Sequence, residues 1–394
     1  MLTPAPLPGL TPEESAHAGR VASHLREVIA EAGGWVPFSR FMQEALYAPG
    51  LGYYSAGARK FGAEGDFVTA PELTPVFARC LATQVAEVLE ETGGGCVVEA
   101  GAGSGALASE LLATLAARGV LPARYEILEV SADLRERQRA TLAGRDAALL
   151  ERVRWIDSPP ADAWQGVVLA NEVLDALPVE RFRVVGDAYE AIGVAAGGEG
   201  FRFEARPAEP ALAGAIAARI ADLPEPLRVG YESELCTWVR PWIAALAGGL
   251  SRGALLLTDY GLPRSQYYHP SRAGGSLCGF FRHRRVEDVL ERPGLQDITA
   301  WVDFTEVAEA GLDAGLELAG FATQAHFLLS LGLERELATA GEGLDMAGRA
   351  RLSQAAAMLV LPGEMGERFK VMALSRGLKS RLAGFSFRDL AATL

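Results

Sequence analysis

The sequence predicts an α/β protein built on a doubly wound, mostly parallel, Rossmann-like β-sheet. Two observations lead to this fold class. Short apolar runs that suit buried strands alternate with longer amphipathic segments that suit helices, as in sheets covered on both faces. A glycine-rich turn, Gly101-Ala-Gly-Ser-Gly105, directly follows the first of these runs and precedes a helical segment. The order strand, glycine turn, helix is typical of Rossmann-like folds.

The amino-terminal third is predicted to be helical. Thr11 before Pro12 is typical of a helix start, and Gly33-Gly34 of a helix end. Further helices are expected over 36–47 and 71–92. Four strand–helix units then follow, and we expect their strands at 96–98, 125–130, 153–156 and 166–170.

The remaining elements are predicted from alternation and periodicity. Residues 182–203 alternate apolar and polar side chains around glycine turns, which favours antiparallel ribbons inserted beside the sheet. The later elements are expected to be a helix at 235–247, a strand at 253–258, a helix at 303–314, strand-like residues at 316–327, mostly helical residues at 333–359 and a last strand at 369–374. The long glycine-rich excursion after Asp259 is of the kind that is usually functional.

Composition excludes several classes of protein. The 394 residues carry a formal net charge of −13, so the molecule should repel a phosphate backbone, and no nucleic-acid partner is expected. No apolar run reaches the length of a membrane span, and the chain start shows no targeting pattern. The four cysteines and five histidines form no ligand spacing, so no metal is expected. A cytoplasmic protein is therefore predicted.

One short stretch runs against the acidic balance. Phe280-Phe-Arg-His-Arg-Arg285 carries three arginines, which fit either a solvated loop or the cationic wall of a substrate groove.

The glycine turn predicts a ligand site. Gly101, Gly103 and Gly105 suit a backbone that comes close to a cofactor, but the same spacing also fits dinucleotide dehydrogenases. Glu99 just before the turn favours the cationic amino-acid end of S-adenosylmethionine and would be unfavourable beside a pyrophosphate. Glu129, after the next strand, can accept the ribose hydroxyls of either cofactor. Charge therefore favours S-adenosylmethionine over NAD.

Further polar residues follow the third, fourth and later strands. Asp157 suits either a contact with the adenine edge or a helix cap. Asn171 and Glu172 follow the fourth strand, at the edge where doubly wound sheets bind ligands, and Asp175 is expected one helical turn from Glu172. Asp259 suits the same site or only the end of its strand. Asp175 suits either this site or a helix cap. Glu172, Asp175 and Asp259 are our candidates for holding a methyl acceptor.

Several separate segments resemble the MidA-like family of class I methyltransferases. The glycine turn alone is common to many methyltransferases, whereas residues 65–72 and 171–179 are specific to the family. The segments are 65–72 (GDFVTAPE), 98–105 (VEAGAGSG), 171–179 (NEVLDALPV), 259–261 (DYG), 275–277 (GSL), 297–305 (DITAWVDFT) and 365–371 (MGERFKV). They span nearly the whole chain.

The resemblance implies S-adenosyl-L-methionine as cofactor and a seven-stranded sheet. It also implies that the segment with Asp66, Thr69 and Pro71 contributes to the cofactor pocket from outside the sheet. We accordingly expect residues 1–92 to form a helical region with a cofactor-covering loop. Residues 93–394 would form the methyltransferase core, with insertions at about 182–230, 262–300 and 330–362.

Eukaryotic members of that family are mitochondrial protein-arginine methyltransferases that act as respiratory complex I assembly factors. The resemblance therefore implies that the acceptor is an arginine side chain of a partner protein. Three alternatives stay open from the residues: a small-molecule N- or O-methyltransferase, a non-catalytic assembly factor that binds S-adenosylmethionine, and an NAD-dependent oxidoreductase. The sequence predicts no oligomeric state.

Overall fold

The computed structural model describes residues 7–56, 69–198 and 200–394, and the chain forms two compact units. Unit 1 comprises Met1–Val68, Ala176–Trp238 and Ser265–Trp301, and unit 2 comprises Thr69–Asp175, Val239–Arg264 and Val302–Leu394. This division differs from the predicted boundary at residue 92, because helix Pro75–Thr92 belongs to unit 2. The insertions expected at about 182–230 and 262–300 overlap the later two stretches of unit 1.

Unit 2 contains the predicted doubly wound type of sheet. Seven of its strands follow one another across the sheet in the order Glu317–Thr323, Phe369–Arg376, Leu250–Leu262, Trp164–Asn171, Cys96–Ala100, Arg124–Leu128 and Val153–Ile156. The first two pairs in this order are antiparallel and the other four are parallel. The described part also includes an eighth, two-residue strand, Val302–Asp303, beside Leu250–Leu262. The sheet is therefore mostly parallel, with one strand more than the seven expected.

Helices of unit 2 pack on this sheet. Helix Pro75–Thr92 packs against helix Ala106–Ala117 and against the two strands at the centre of the sheet, and helix Phe304–Asp313 packs against Val239–Ala247. The other described helices are Ala70–Leu73, Ala132–Arg145, Ala147–Leu150, Gln324–Ser330, Leu333–Ala340, Met346–Val360 and Met365–Arg368, with 3₁₀ turns at Ala383–Phe385 and Ala391–Thr393. Aliphatic side chains of these helices and of the strands form one continuous core. Among the described residues, no helix has the length and apolarity that crossing a membrane requires.

Three predicted elements of unit 2 differ from the structure. The helix expected over 71–92 is two helices, because Thr74 is extended, with φ of −164°, and Pro75 starts a new helix capped by the Thr74 side chain. The residues expected to be strand-like over 316–327 change to helix after Thr323, whose side chain caps Gln324–Ser330. The helix expected over 235–247 begins only at Val239.

Unit 1 consists of two small sheets and their helices. The larger sheet has the order Val36–Pro37, Ala188–Gly197, Glu180–Val185 and Glu232–Leu235, and Gly200–Pro207 also pairs with Ala188–Gly197. The smaller one has the order Arg284–Val286, Cys278–Phe281 and Asp297–Thr299. Helices Pro12–Glu31, Phe38–Tyr47 and Pro210–Ile220 accompany them, with a 3₁₀ turn at Pro270–Arg272. The four-residue helix Arg264–Tyr267 also belongs to this unit except for its first residue, Arg264. The predicted antiparallel ribbons are therefore present.

Candidate active site

The glycine turn lies between strand Cys96–Ala100 and helix Ala106–Ala117 of unit 2. Gly101, Gly103 and Gly105 have φ values of 69°, 53° and 85°, which lie in the left-handed region that side chains disfavour. The turn thus stands at the carboxyl end of a central strand, where open α/β sheets bind their ligands.

Glu99 lies at the end of the same strand and is 2% exposed. It accepts a hydrogen bond of 2.6 Å from the hydroxyl of Tyr125, which belongs to the neighbouring parallel strand. Burial raises the pKa of Glu99 to about 7, and the Tyr125 hydroxyl opposes that rise. Because a nearby positive charge favours the ionised form, this carboxyl group is suited to a cationic partner.

Glu129 follows that neighbouring strand, which ends at Leu128 and not at residue 130 as predicted. Its Oε1 accepts a hydrogen bond of 2.8 Å from the backbone N–H of Ser131, and its Oε2 accepts one of 3.2 Å from the Gln138 amide. Burial raises the pKa of Glu129, whereas these two hydrogen bonds lower it. The carboxylate is therefore buried and held on both oxygens.

Gln138 is a residue that the sequence reasoning missed. Helix Ala132–Arg145 buries Leu134, Gln138 and Leu142, spaced four residues apart along one face. A glutamine within such an apolar stripe is the signal that could have identified it, because a buried amide must find hydrogen-bond partners.

Asp157 follows strand Val153–Ile156 as predicted, but its side chain is 81% exposed and forms an ion pair of 2.5 Å with Arg135. No helix begins after it, so its interpretation as a helix cap is wrong. Arg135 also donates to the backbone carbonyls of Glu129 and Ile156. Asp157 thus belongs to a polar link between the ends of two strands.

The segment before helix Pro75–Thr92 is the one predicted to contribute to the cofactor pocket from outside the sheet. Thr69 is extended and precedes the short helix Ala70–Leu73, which contains Pro71 near its start. Glu72 accepts a hydrogen bond from the hydroxyl of Ser104 in the glycine turn. Asp66, which was predicted for the same pocket, lies outside the described residues. The contact between Glu72 and Ser104 connects this segment to the glycine turn.

Asn171 and Glu172 stand where strand Trp164–Asn171 ends. Glu172 has a φ of 54°, unusual for a residue with a side chain, and its N–H donates to the Thr258 carbonyl at 2.9 Å. Its carboxylate accepts a hydrogen bond of 3.0 Å from the Asn171 side-chain amide and another from the backbone N–H of Ala70. Burial and the neighbouring Asp175 raise the pKa of Glu172 to about 8. Backbone strain and a raised pKa coincide at this residue, as is common at functional sites.

Asp259 lies on the adjacent strand Leu250–Leu262 and is 1% exposed. Its Oδ2 accepts the backbone N–H groups of Val173, Leu174 and Asp175 at 3.1, 2.9 and 3.2 Å. Burial, followed by the charges of Asp175 and Glu172, raises the pKa of Asp259. Asp259 therefore holds the backbone of the acidic segment in place.

Asp175 is 7% exposed and close enough to influence the ionisation of both Glu172 and Asp259. The predicted helical turn from Glu172 to Asp175 is wrong, because residues 172–177 form a non-helical turn. The hydrogen bonds of Asp259 bring the two acids together instead. Three mutually repelling carboxyl groups at one sheet edge favour a cationic guest.

The basic stretch Phe280–Arg285 lies in unit 1. Arg282 forms an ion pair of 2.6 Å with Glu14 and Arg285 one of 3.3 Å with Glu287. In strand Arg284–Val286, the side chains of Arg284 and Arg285 are exposed and that of Val286 is buried. Local pairing thus favours the interpretation as a solvated structural segment.

These residues suit S-adenosyl-L-methionine chemically. Glu99 offers a buried carboxyl group to an ammonium group, and Glu129 offers two oxygens to a pair of hydroxyls, on either side of the glycine turn. A pyrophosphate would meet unfavourable charge from Glu99, whereas Glu129 would suit the ribose of either cofactor.

Comparisons with known proteins agree with this chemistry. The sequence pattern of a family described as S-adenosyl-L-methionine-dependent methyltransferase matches residues 80–322. The mitochondrial protein arginine methyltransferase NDUFAF7 of Danio rerio is 29% identical over 89% of this chain and 85% of its own. The homologue of Caenorhabditis elegans is 30% identical over 89% of this chain and 86% of its own. A crystal structure from Burkholderia thailandensis bound to S-adenosyl-homocysteine has a TM-score of 0.92 and 43% identity, covering 99% of this chain and 100% of that one.

The comparisons also correct one prediction. The cytoplasmic location expected from the sequence is wrong by this measure, because the curated relatives are named as mitochondrial proteins. The expectation rested on composition and on the first residues, which do not report where relatives of the same fold reside.

Proposed function

The chain belongs to the family of S-adenosyl-L-methionine-dependent methyltransferases, with an α/β class I fold, and from this premise we propose that it methylates an arginine side chain of a partner protein. S-adenosyl-L-methionine is its cofactor. The names of the relatives, which are protein arginine methyltransferases, support the choice of acceptor. The remaining support comes from the acids of unit 2.

The observation that carries the proposal is the meeting of Glu172, Asp175 and Asp259 at the carboxyl ends of two adjacent parallel strands. A guanidinium group is a permanent cation with planar N–H donors that match carboxylates. A bound guanidinium would offset the repulsion among these acids, and this gain would strengthen its binding. A neutral alcohol or phenol would offer these carboxyl groups a single O–H donor and no positive charge.

The residues of this chain would act on the acceptor as follows. When bound, S-adenosyl-L-methionine supplies an electrophilic methyl group and leaves as the neutral thioether S-adenosyl-homocysteine. Glu172 would hold the guanidinium through its N–H groups, orient one nitrogen and accept the proton that this nitrogen loses on methylation. Asp175 would add negative charge beside it. Asp259 would act indirectly, by fixing the backbone that carries both acids.

The cofactor placement is part of the proposal. Glu99 would hold the cationic amino group and Glu129 the ribose hydroxyls. The turn Gly101–Gly105 would pass beneath the cofactor, with Thr69, Pro71 and Asn171 beside it. Asp66 and Asp157 stay predictions for the cofactor pocket.

The test uses the purified full chain with cofactor labelled in the methyl group and a protein extract from cells that lack this enzyme. We expect label in protein and, after hydrolysis, in methylarginine. Glu172→Gln should abolish the label. Glu126→Gln is the matched control, since Glu126 is also buried in unit 2 but pairs with Arg124 at 3.2 Å, and it should retain activity.

Two results would contradict the proposal. Label that appears only in a small molecule would identify an N- or O-methyltransferase of small substrates. Tight binding of the cofactor without transfer to any acceptor in the extract would identify a non-catalytic assembly factor.

A further inference from the structure

We propose that Gln138 is a positioning residue that fixes the Glu129 carboxylate for the ribose hydroxyls of the cofactor. The inference rests on the cofactor placement proposed above and is independent of the identity of the methyl acceptor. Helix Ala132–Arg145 would then take part in cofactor recognition, a role that its sequence pattern does not predict.

The orientation of the Gln138 amide follows from its partners. The indole Nε1 of Trp155 lies 2.8 Å from Oε1 of Gln138. An indole N–H is only a donor, so the atom facing it must be the amide oxygen. The amide nitrogen consequently faces the other side, where it donates to the Gly103 carbonyl at 3.1 Å and to Oε2 of Glu129 at 3.2 Å. A flipped amide would place its oxygen against two acceptors.

The amide is held where it cannot move. Gln138 is fully buried, and both N–H donors and its oxygen are used. A Cβ added to Gly105 would stand 3.1 Å from Cα of Gln138, so the helix backbone packs directly on the glycine turn. Through one side chain, Gln138 therefore joins the glycine turn, the residue that follows strand Arg124–Leu128, and strand Val153–Ile156.

The effect on Glu129 is both geometric and electrostatic. With Ser131 on Oε1, Gln138 on Oε2 and the backbone N–H of Val130 also bonded to it, the carboxylate is fixed in one rotation and keeps acceptor capacity for a ribose hydroxyl. The Gln138 amide also lowers the pKa of Glu129 against the effect of burial. The correctly rotated acceptor is thus prepared before the ligand arrives, which reduces the cost of ordering it on binding.

A purely structural role would need the amide for Trp155 and Gly103, but not for Glu129. Leu134 and Leu142 occupy the same buried stripe with aliphatic side chains, and a methionine would fill a similar volume. Beyond its bonds to Trp155 and Gly103, the amide adds a hydrogen bond to Glu129, and the preference of the protein for the ribose hydroxyl reports on this bond.

The experiment measures the affinity of S-adenosyl-homocysteine and of its 3′-deoxyribose analogue by calorimetry. In the unaltered protein we expect the analogue to bind about 10- to 100-fold more weakly, the range of a hydrogen bond to a charged group. In Gln138→Met this ratio should fall below about 3-fold, while the analogue itself binds nearly as before. Arg139→Met is the matched control, because Arg139 lies 4.3 Å over the Trp155 ring but makes no contact with Glu129 among the described interactions; the ratio should be unchanged.

A second variant keeps the proposal testable if Gln138→Met folds poorly. In Gln138→Glu the introduced carboxyl can still accept from Trp155, but when ionised it repels Glu129. Affinity for S-adenosyl-homocysteine should then recover as the pH is lowered and the introduced group is protonated. An unchanged ribose preference in Gln138→Met, or no ribose preference in the unaltered protein, would overturn the inference, and neither result depends on arginine methylation.

Discussion

Gly101, the first glycine of the turn, lies against the side chain of Val173: a Cβ atom on Gly101 would stand 2.8 Å from Cγ2 of Val173. Val173 directly follows Glu172, so the glycine turn and the acidic segment touch within unit 2. The glycine is therefore required by a protein neighbour as well as by its φ of 69°. The two halves of the candidate site depend on each other sterically.

This contact predicts the behaviour of Gly101→Ala. The variant should lose stability and cofactor affinity, since the backbone strain of about 1–2 kcal/mol adds to a clash with Val173. Gly119→Ala is the control, because Gly119 has a φ of 71° and open space around its Cβ position. It should show the strain alone when unfolding is measured in urea. The double variant Gly101→Ala with Val173→Ala should recover part of the loss; no recovery would contradict the contact.

The raised pKa of Glu172 predicts a pH dependence. If the ionised carboxylate binds the acceptor, kcat/KM should rise with pH up to about 8, the pKa to which burial and Asp175 raise Glu172. Glu172→Gln should lose this limb together with most of the activity. A rate profile measured between about pH 6 and 9 decides it, with Glu126→Gln as control. A limb that survives in Glu172→Gln would assign the titration to another group.

The same group predicts an opposite effect on stability. The carboxyl of Glu172 stays protonated in the folded chain at pH values where it ionises in the unfolded chain, whose pKa is near 4.5. The unaltered protein should therefore lose stability relative to Glu172→Gln as the pH rises from about 5 to 8. Urea unfolding of both proteins across this range measures the difference. A constant difference would show that the folded pKa of Glu172 is not raised.

Asp259→Ala should separate positioning from stability. Removing the acceptor of three backbone N–H groups should cost about 1–3 kcal/mol and disorder the segment that carries Glu172 and Asp175. Asp303→Ala is the matched control, since the Asp303 side chain accepts two backbone N–H groups at the start of helix Phe304–Asp313. We expect similar losses in urea unfolding but a far lower kcat only for Asp259→Ala. Equal kcat in the two variants would contradict the role of Asp259.

Tyr125→Phe tests the cationic end of the cofactor. Without the Tyr125 hydroxyl, the pKa of Glu99 should rise above about 7, because burial would act with less opposition. Binding of S-adenosyl-homocysteine, measured by calorimetry at a series of pH values, should then require a higher pH. Glu99→Gln should bind weakly and without this pH dependence. An unchanged midpoint in Tyr125→Phe would place the ammonium group elsewhere.

Local patterns predicted much of the sheet and the acids at its edge. The strand 153–156 was expected with its observed limits. The glycine turn, Glu99 and Glu172 could be found because each directly follows or ends an apolar run. Such signals depend only on neighbours along the chain.

Features that depend on tertiary contacts could not be found in this way. The turn at Asp175 is shaped by Asp259, which is distant in sequence, so helical spacing gave the wrong geometry. Gln138 acts through partners on three different segments. The division into units is also non-local, because each unit is built from three separate stretches of the chain.

That interleaving has a consequence for biosynthesis. One core of unit 1 combines Phe41 from the first stretch, Val194 from the second and Ile298 from the third. During translation the first stretch must wait, with its apolar residues uncovered, until synthesis has passed residue 301. We therefore expect nascent chains that stop before this point to be sensitive to proteases and to bind chaperones. For the same reason, exchanging unit 1 between relatives requires all three stretches to be transferred together.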